Sequence, residues 1–238
     1  MNNRRTLIAA VVAGALILGA AGVGVLYFVV FAGSSPQKLV LSSPTPSASG
    51  SGTASTAGAG TWTVGSGSVA GYRVREQLAS LAAPSDAVGR TSAITGTLTL
   101  TQAASGYTVA ASGFTVDVSK LTSDQSRRDQ RIHSQGLESD RYPTATFKLT
   151  SPIALSADAT SGQTIRVSAT GDLTIHGVTK SVTIPIDARL TGSKIELVGS
   201  ITFPFSQFGM TPPSIGGFVT VQNNATMEFQ LLMTQQGA

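Results

Sequence analysis

The chain has 238 residues, 41% hydrophobic and 12% charged, with a formal net charge of +4 and no cysteine. The missing cysteine excludes disulfides, thiolate metal sites, a cysteine nucleophile and a lipidated cysteine. The charge is no argument for nucleic acid, because Arg4, Arg5 and Lys38 precede residue 61 whereas all 12 acidic residues follow it, which leaves the C-terminal part close to neutral.

Residues 1–5 place Arg4 and Arg5 ahead of an uncharged run over residues 6–32, TLIAAVVAGALILGAAGVGVLYFVVFA. As a helix this run reaches about 40 Å at ~1.5 Å per residue, enough to cross a ~30 Å hydrocarbon core. A secretory signal has an apolar region of only about 7–15 residues. The length therefore favours a single transmembrane helix retained as an anchor, the alternative being cleavage near Ala32 and secretion. The two arginines predict a cytoplasmic N-terminus and an extracytoplasmic C-terminal domain in the cell envelope. Residues 33–60, dominated by Ser, Thr, Pro, Gly and Ala, are expected to form a flexible linker with a span of roughly 30 Å. Residues 61–238 are long enough to fold as one domain.

Within that domain, period-two patterning recurs with turn residues between runs. Trp62–Val64 and Ser68–Val74 are short strand candidates. Ile94, Leu98 and Leu100 share a face, with Thr95, Thr97, Thr99 and Thr101 on the other. Tyr107, Val109 and Ala111 alternate, then Phe114, Val116 and Val118 continue out of phase, which predicts a bulge at Ser112-Gly113. Residues 76–90 are expected to hold a short helix ahead of Pro84. In the polar stretch 120–140, Ser123 or Ser126 is expected to cap a helix running to Arg131, and both irregular stretches suit lids or plugs at a barrel end. Ala145, Phe147 and Leu149 mark the next strand. Ile195, Leu197, Ile201, Phe203 and Phe205, then Ala225, Met227, Phe229, Leu231 and Met233, mark the last two long ones.

The clearest unit is TIRVSATGDLTIHGVTKSVTIPIDAR, residues 164–189. Two β-branched runs flank His176-Gly177, a two-residue hairpin turn in which both residues tolerate positive φ. If Ile175 pairs with Val178, counting outwards gives an apolar face of Gly171/Val182, Ala169/Ile184, Val167/Ile186 and Ile165/Ala188. The opposite face carries Thr174/Thr179, Asp172/Ser181, Thr170/Thr183 and Arg166/Asp187. A slip of one residue would expose one strand's apolar set, so the register is well specified. Pro185 has no amide donor and predicts a bulge or local opening. About eight or nine antiparallel strands point to an all-β barrel or sandwich with one or two short helices.

Catalytic and metal chemistry find little support. His133 and His176 are the only histidines. Asp129 and His133 are spaced to share a helix face, but two ligands do not make a zinc site and a solvated charged face explains them. His176 has a sufficient reason in its turn. No nucleophile elbow, phosphate-binding loop or dinucleotide fingerprint occurs. No enzyme, cofactor or metal is expected, and the pattern leaves the oligomeric state open.

Ser119-Lys120-Leu121, Arg128-Asp129, Arg141-Tyr142-Pro143 leading to Phe147, Gly171-Asp172-Leu173-Thr174-Ile175-His176-Gly177-Val178-Thr179-Lys180 and Phe205-Ser206-Gln207-Phe208-Gly209-Met210 occur in an order that resembles the YceI-like family. The resemblance covers nearly all of residues 61–238. It implies an extended, lipocalin-like antiparallel β-barrel of about eight strands whose interior binds an isoprenoid lipid, of quinone or polyprenyl type, in an exported bacterial protein. Its early strand departs from the pattern: many members carry a histidine and a G-x-F element there, where this chain reads Ser68-Val69-Ala70-Gly71-Tyr72. Tyr72, Phe114, Phe147, Phe203, Phe205 and Phe208 are the candidates for an apolar ligand lining. The same rings suit a filled barrel acting as an envelope module through protein–protein contacts in loops such as 204–217. The expected partners are thus an isoprenoid lipid and, through the N-terminal helix, the membrane.

Overall fold

The computed structural model describes residues 35–43, 58–78, 84–215 and 219–236. The expected transmembrane run, residues 6–32, lies outside them, as do residues 44–57 of the expected linker. The described chain forms β1 (Gly60–Val64), β2 (Val69–Leu78), β3 (Ser85–Thr91), β4 (Ile94–Ala103) and β5 (Gly106–Asp117), then a short helix α1 (Ser126–Arg131). There follow β6 (Thr144–Leu149), β7 (Ile153–Leu155), β8 (Ile165–Ile175), β9 (Val178–Thr191), β10 (Lys194–Pro204), β11 (Ser214–Ile215) and β12 (Val219–Gln235).

Strands β1, β4, β5, β6, β8, β9, β10 and β12 pair in that order, and β12 pairs back onto β1, closing an eight-stranded antiparallel barrel. Strands β2 and β3 continue the wall where β1 and β4 leave off, because β2 also pairs with β12 and β3 pairs with β2. Residues 60–78 are therefore one long wall with a break. Val64 faces Met233 and Val69 faces Gln230, so two extra residues bulge out on the β1–β2 side. Ser68 mends the break, donating to the Gly65 carbonyl at 2.8 Å and accepting from the Leu232 amide at 3.0 Å. The buried apolar residues form two clusters. Trp62, Leu98, Leu231 and Met233 belong to one, and Leu173, Ile184, Phe203, Phe205 and Phe208 to the other.

The hairpin of β8 and β9 has the expected register throughout, from Ile175↔Val178 to Ile165↔Ala188. His176 and Gly177 take φ of +53° and +71°, the left-handed pair that a tight hairpin needs. On the outer face Arg166 grips Asp187 through two nitrogens at 2.7 and 3.2 Å, and Thr170 bonds Thr183 at 2.9 Å. Pro185 leaves the β8 ladder unbroken. The opening falls on its other side, where β9–β10 pairing stops at Ile186↔Gly199.

Three local expectations need correction. Of the stretch expected to hold a helix ahead of Pro84, Glu76, Gln77 and Leu78 end strand β2 and residues 79–83 lie outside the described residues, while residues 85–91, not expected to be a strand, pair with β2 as β3. The bulge in β5 lies at Ala110, between the pairs Thr99↔Ala111 and Leu100↔Val109, rather than at Ser112-Gly113, so Ser112 faces inward. The residue capping α1 is Gln125, with no side-chain cap bond, while Ser123 instead donates to Asp129 Oδ1 through both its amide, at 2.9 Å, and its hydroxyl, at 2.6 Å.

Residues 37–43, taken from composition as part of a free linker, form a strap tied to the outer wall. Arg90 donates to the Gln37 carbonyl and Arg189 to the Ser42 carbonyl. Glu196 accepts from the Ser42 amide at 2.8 Å and the Ser42 hydroxyl at 2.9 Å, and pairs with Arg189 at 3.1 Å. A polar, β-poor composition said nothing of these bonds because the partners lie 53 to 154 residues away.

Two measurements check this description. At Gly177 an added Cβ would sit 2.7 Å from Tyr142 Cε1 in a left-handed backbone. Gly177→Ala is therefore expected to cost about 2 kcal/mol and to lower the melting temperature by roughly 4–8 °C. Burial opposes ionisation of Glu196, but the Ser42 amide, Gln230, the Ser42 hydroxyl and Arg189 outweigh it and hold its carboxyl below the usual 4.5. The stability from such a depressed acid is complete above the unfolded value and is lost as pH falls through the folded one. Hydrogen-exchange protection of the Ser42 amide is expected to fall as pH drops below 4.5. In Glu196→Gln that pH dependence should be absent.

Candidate ligand-binding cavity

The inward positions of the barrel enclose a cavity of about 620 Å³, a size typical of small-molecule sites at roughly 300–1,000 Å³. The hairpin's apolar face supplies much of the wall, through Ile165, Val167, Ala169, Leu173 and Ile175 of β8 and Ile184, Ile186, Ala188 and Leu190 of β9.

The lumen stays open because of how its aromatic rings lie. Tyr72 faces Gly89, Phe114 faces Gly96 and Phe229 faces Gly199 across their ladders. A Cβ on those glycines would stand 2.3 Å from Tyr72 Cε1, 2.5 Å from Phe114 Cδ1 and 2.5 Å from Phe229 Cζ. Phe147 covers Gly171 in the same way, its Cζ 2.5 Å from the Cβ position. Each ring fills the space that a side chain would take on the neighbouring strand. It therefore lies along the wall instead of across the barrel.

Of the residues expected to line a ligand, Tyr72, Phe114, Phe147, Phe203 and Phe205 do line the cavity. Phe208 is not among the lining residues. It is fully buried, edge-on to Phe203 with ring centroids 4.8 Å apart. Phe229 and Ser112 were missed. Phe229 was visible in the alternation of β12, and Ser112 was hidden by the misplaced bulge. Missed too were the polar residues gathered at one end, Glu76 from β2 and Gln125, Arg127, Arg128 and Arg131 at α1. Gln125 and Arg127 are exposed, so the cavity meets solvent there. Arg128 joins the two elements across this mouth, pairing with Glu76 at 2.7 Å and with Asp124. Burial disfavours the Arg128 charge, but Glu76 and Asp124 more than compensate and raise its pKa. Tyr72 carries its hydroxyl to the same end. Burial pushes the phenol well above its ordinary 10, with Arg128 only partly opposing, and its oxygen is buried without a hydrogen-bond partner among the described residues.

The histidines serve the frame of this mouth. His133 Nδ1 lies 2.5 Å from Ser139 Oγ, holding the chain after α1 in its turn. His176 packs on Tyr142 with ring centroids 4.6 Å apart, its Nδ1 is 3.3 Å from the Phe208 carbonyl, and its Nε2 is 3.5 Å from Glu138. Asp129 is engaged by Ser123 and not by His133. Among the described residues no three metal-ligating side chains cluster.

A family model described as "YceI-like domain" matches residues 63–233. No curated protein matches the chain. Among solved structures, a polyisoprenoid binding domain from Saccharophagus degradans, implicated in plant cell wall breakdown, is similar with a TM-score of 0.54 at 12% identity, over 75% of this chain and 99% of that one. BcnA of Burkholderia cenocepacia is similar with a TM-score of 0.49 at 19% identity, over 68% of this chain and 95% of that one.

The ring-over-glycine arrangement has a direct test. The three atoms nearest a Cβ at Gly89 all belong to the Tyr72 side chain, so Gly89→Ala is expected to swing that ring into the lumen. Affinity for an apolar fluorescent probe such as anilinonaphthalene sulfonate should drop several-fold while the far-ultraviolet circular dichroism stays unchanged. Undiminished probe binding would show that the ring does not depend on the glycine.

Proposed function

The chain belongs to the YceI-like family, and from that membership and its cavity we propose that it is a binding protein for an isoprenoid lipid, of quinone or polyprenyl type, held within the barrel. One observation carries the reading: an apolar cavity of about 620 Å³ occupies the lumen of a barrel of this family. The polyisoprenoid bound by the Saccharophagus degradans domain suggests the class of occupant. Burial of such a chain gains about 0.8 kcal/mol per methylene-sized group before ordering costs. Only a continuous apolar path collects that gain, and the lining side chains of β8 and β9 run the length of one.

The proposal extends to place. The apolar run of residues 6–32 would anchor the protein in the membrane, with Arg4 and Arg5 on the cytoplasmic side and the barrel on the extracytoplasmic side, near the source of its lipid. The role is to hold or carry, with no chemical step. The alternative of a filled barrel acting through its loops is less well supported, because the inward rings leave the lumen clear.

Purification of the full chain from bacterial membranes in detergent, followed by solvent extraction and mass spectrometry, tests the proposal against a variant with a plugged lumen. Ala169 is 2% exposed and lines the cavity, so Ala169→Phe fills it. The natural chain is expected to hold about one prenyl lipid per protein. The variant, melting cooperatively, should hold only the membrane carry-over. Equal lipid content in the two proteins would refute the cavity as the site.

A further inference from the structure

The barrel wall carries a seam that no backbone hydrogen bond crosses. β6 pairs with β8 as far as Leu149↔Gly171, and one further bond runs from the Thr150 amide to the Thr170 carbonyl at 3.0 Å. Ser151 and Pro152 then lead the chain to β7, which pairs with β5 alone. Proline has no amide to offer β8. From there on, no backbone hydrogen bond joins β7 to β8 among the described residues. Backbone groups alternate in direction along a strand, so Arg166 and Ser168, in step with Thr170, turn their amides and carbonyls into this seam. The unbonded edge, residues 165–169, is roughly 16 Å long at ~3.3 Å per residue. Its inner lips are apolar: Ile153 and Leu155 of β7 and Ile165 and Val167 of β8 line the cavity and are only half-buried. A second unbonded stretch, beyond Ile186↔Gly199 between β9 and β10, is closed by packing. The turn Phe205–Phe208 lies beside both strands, and Ile184, Phe203 and Phe208 are 2%, 4% and 0% exposed. The mouth at α1 is rimmed by Arg127, Arg128, Arg131 and Glu76, with Arg128 bonded to Glu76 at 2.7 Å.

We infer that the apolar ligand enters and leaves the barrel sideways, through the seam between β7 and β8, rather than end-on through the mouth at α1. This rests on the lipid-binding reading and adds a route to it. Parting two strands that share no ladder breaks no backbone hydrogen bond, so this lip opens at less cost than a bonded stretch of the wall. The lip is also slight. β7 has three residues, is held on one side only and stands between the bend at Ser151-Pro152 and the helical turn Ala157–Thr160. A chain sliding between Ile153, Leu155, Ile165 and Val167 meets hydrocarbon on both sides, whereas one threading the mouth passes charged side chains.

The chain has no cysteine, so a pair can be introduced cleanly. Counting on from Leu149↔Gly171 sets Ala154 opposite Arg166, both exposed on the outer face. The full chain carrying Ala154→Cys and Arg166→Cys is solubilised in dodecyl maltoside, held on affinity resin and loaded with tritiated geranylgeraniol. It is then linked with a short bis-methanethiosulfonate, checked by intact mass, and washed with phosphatidylcholine vesicles. Linking is expected to lengthen retention of the label about tenfold or more, and reductant, which removes the linker, to restore fast release. A control staple, Thr170→Cys with Thr183→Cys, joins side chains already bonded at 2.9 Å across β8 and β9 and is expected to leave release unchanged. Release as fast with the seam linked as with it open overturns the inference and returns the route to the mouth. Equal slowing by the two staples overturns it too, because general stiffening then explains both. A seam pair that the linker cannot join, while the control pair joins, would put the lips too far apart to form one seam and likewise refute it. If the unlinked chain holds no more label at the start than Ala169→Phe, the lipid reading itself falls.

Discussion

The open interior of this barrel depends on aromatic rings being laid over glycines. Eight strands enclose a space that ordinary side chains can fill completely, and this chain directs several large rings inward. Glycine at 89, 96, 171 and 199 gives those rings somewhere to lie. The arrangement is only as secure as the strand register, because three of the four rings face their glycine as cross-strand partners. A one-residue slip would set the ring against a residue with a side chain and drive it into the lumen. Register, ring position and cavity are therefore one constraint seen at three scales. The alternation of Val, Ile and Thr that fixes the pairing also keeps the site empty enough to be a site.

Residues that gave the family resemblance sit around that cavity without supplying most of its lining. Tyr142 packs on His176, His176 reaches the Phe208 carbonyl, and the Val118 amide donates to the Pro143 carbonyl at 2.8 Å. Asp129 holds the turn before α1 through Ser123. These contacts join the β8–β9 turn, the segment after β10 and the chain on either side of α1 at one end of the barrel. The histidine in the most recognisable stretch is accounted for as part of this joinery, with its backbone in a conformation that few residues other than glycine tolerate.

Much of the wall could be read from period-two patterning, and the β8–β9 hairpin could be read pair by pair. Failures came where a residue's state is set by something distant. Residues 85–90 carry two charges, Asp86 and Arg90, and no long apolar alternation, so only the need of β2 for a partner makes them a strand. The bulge at Ala110 shifts parity without any glycine or proline to announce it. Tyr72, Phe114, Phe147 and Phe203 reach the cavity because inward parity along a strand is local information, and Phe205 reaches it from the first position of the helical turn after β10. Phe208 does not, because it lies in a helical turn, Phe205–Phe208, where strand parity no longer says which way a ring points. The arginines of α1 gave no periodic signal, and their position over the lumen follows from the long return of the chain between β5 and β6.

The strap over residues 37–43 changes what the low-complexity stretch is for. Its last hydrogen-bonded residue, Ser42, is fastened to Glu196 and Arg189, and the chain is fastened again where the Gly58 carbonyl accepts from the Trp62 indole. The intervening segment therefore starts and finishes on the same body, in the manner of a handle rather than a leash. Lengthening a handle costs only loop entropy, about 0.6 kcal/mol for each doubling. Residues 44–57 thus connect two points of one fold, Ser43 and Gly58, and a change in their number alters a loop within that fold.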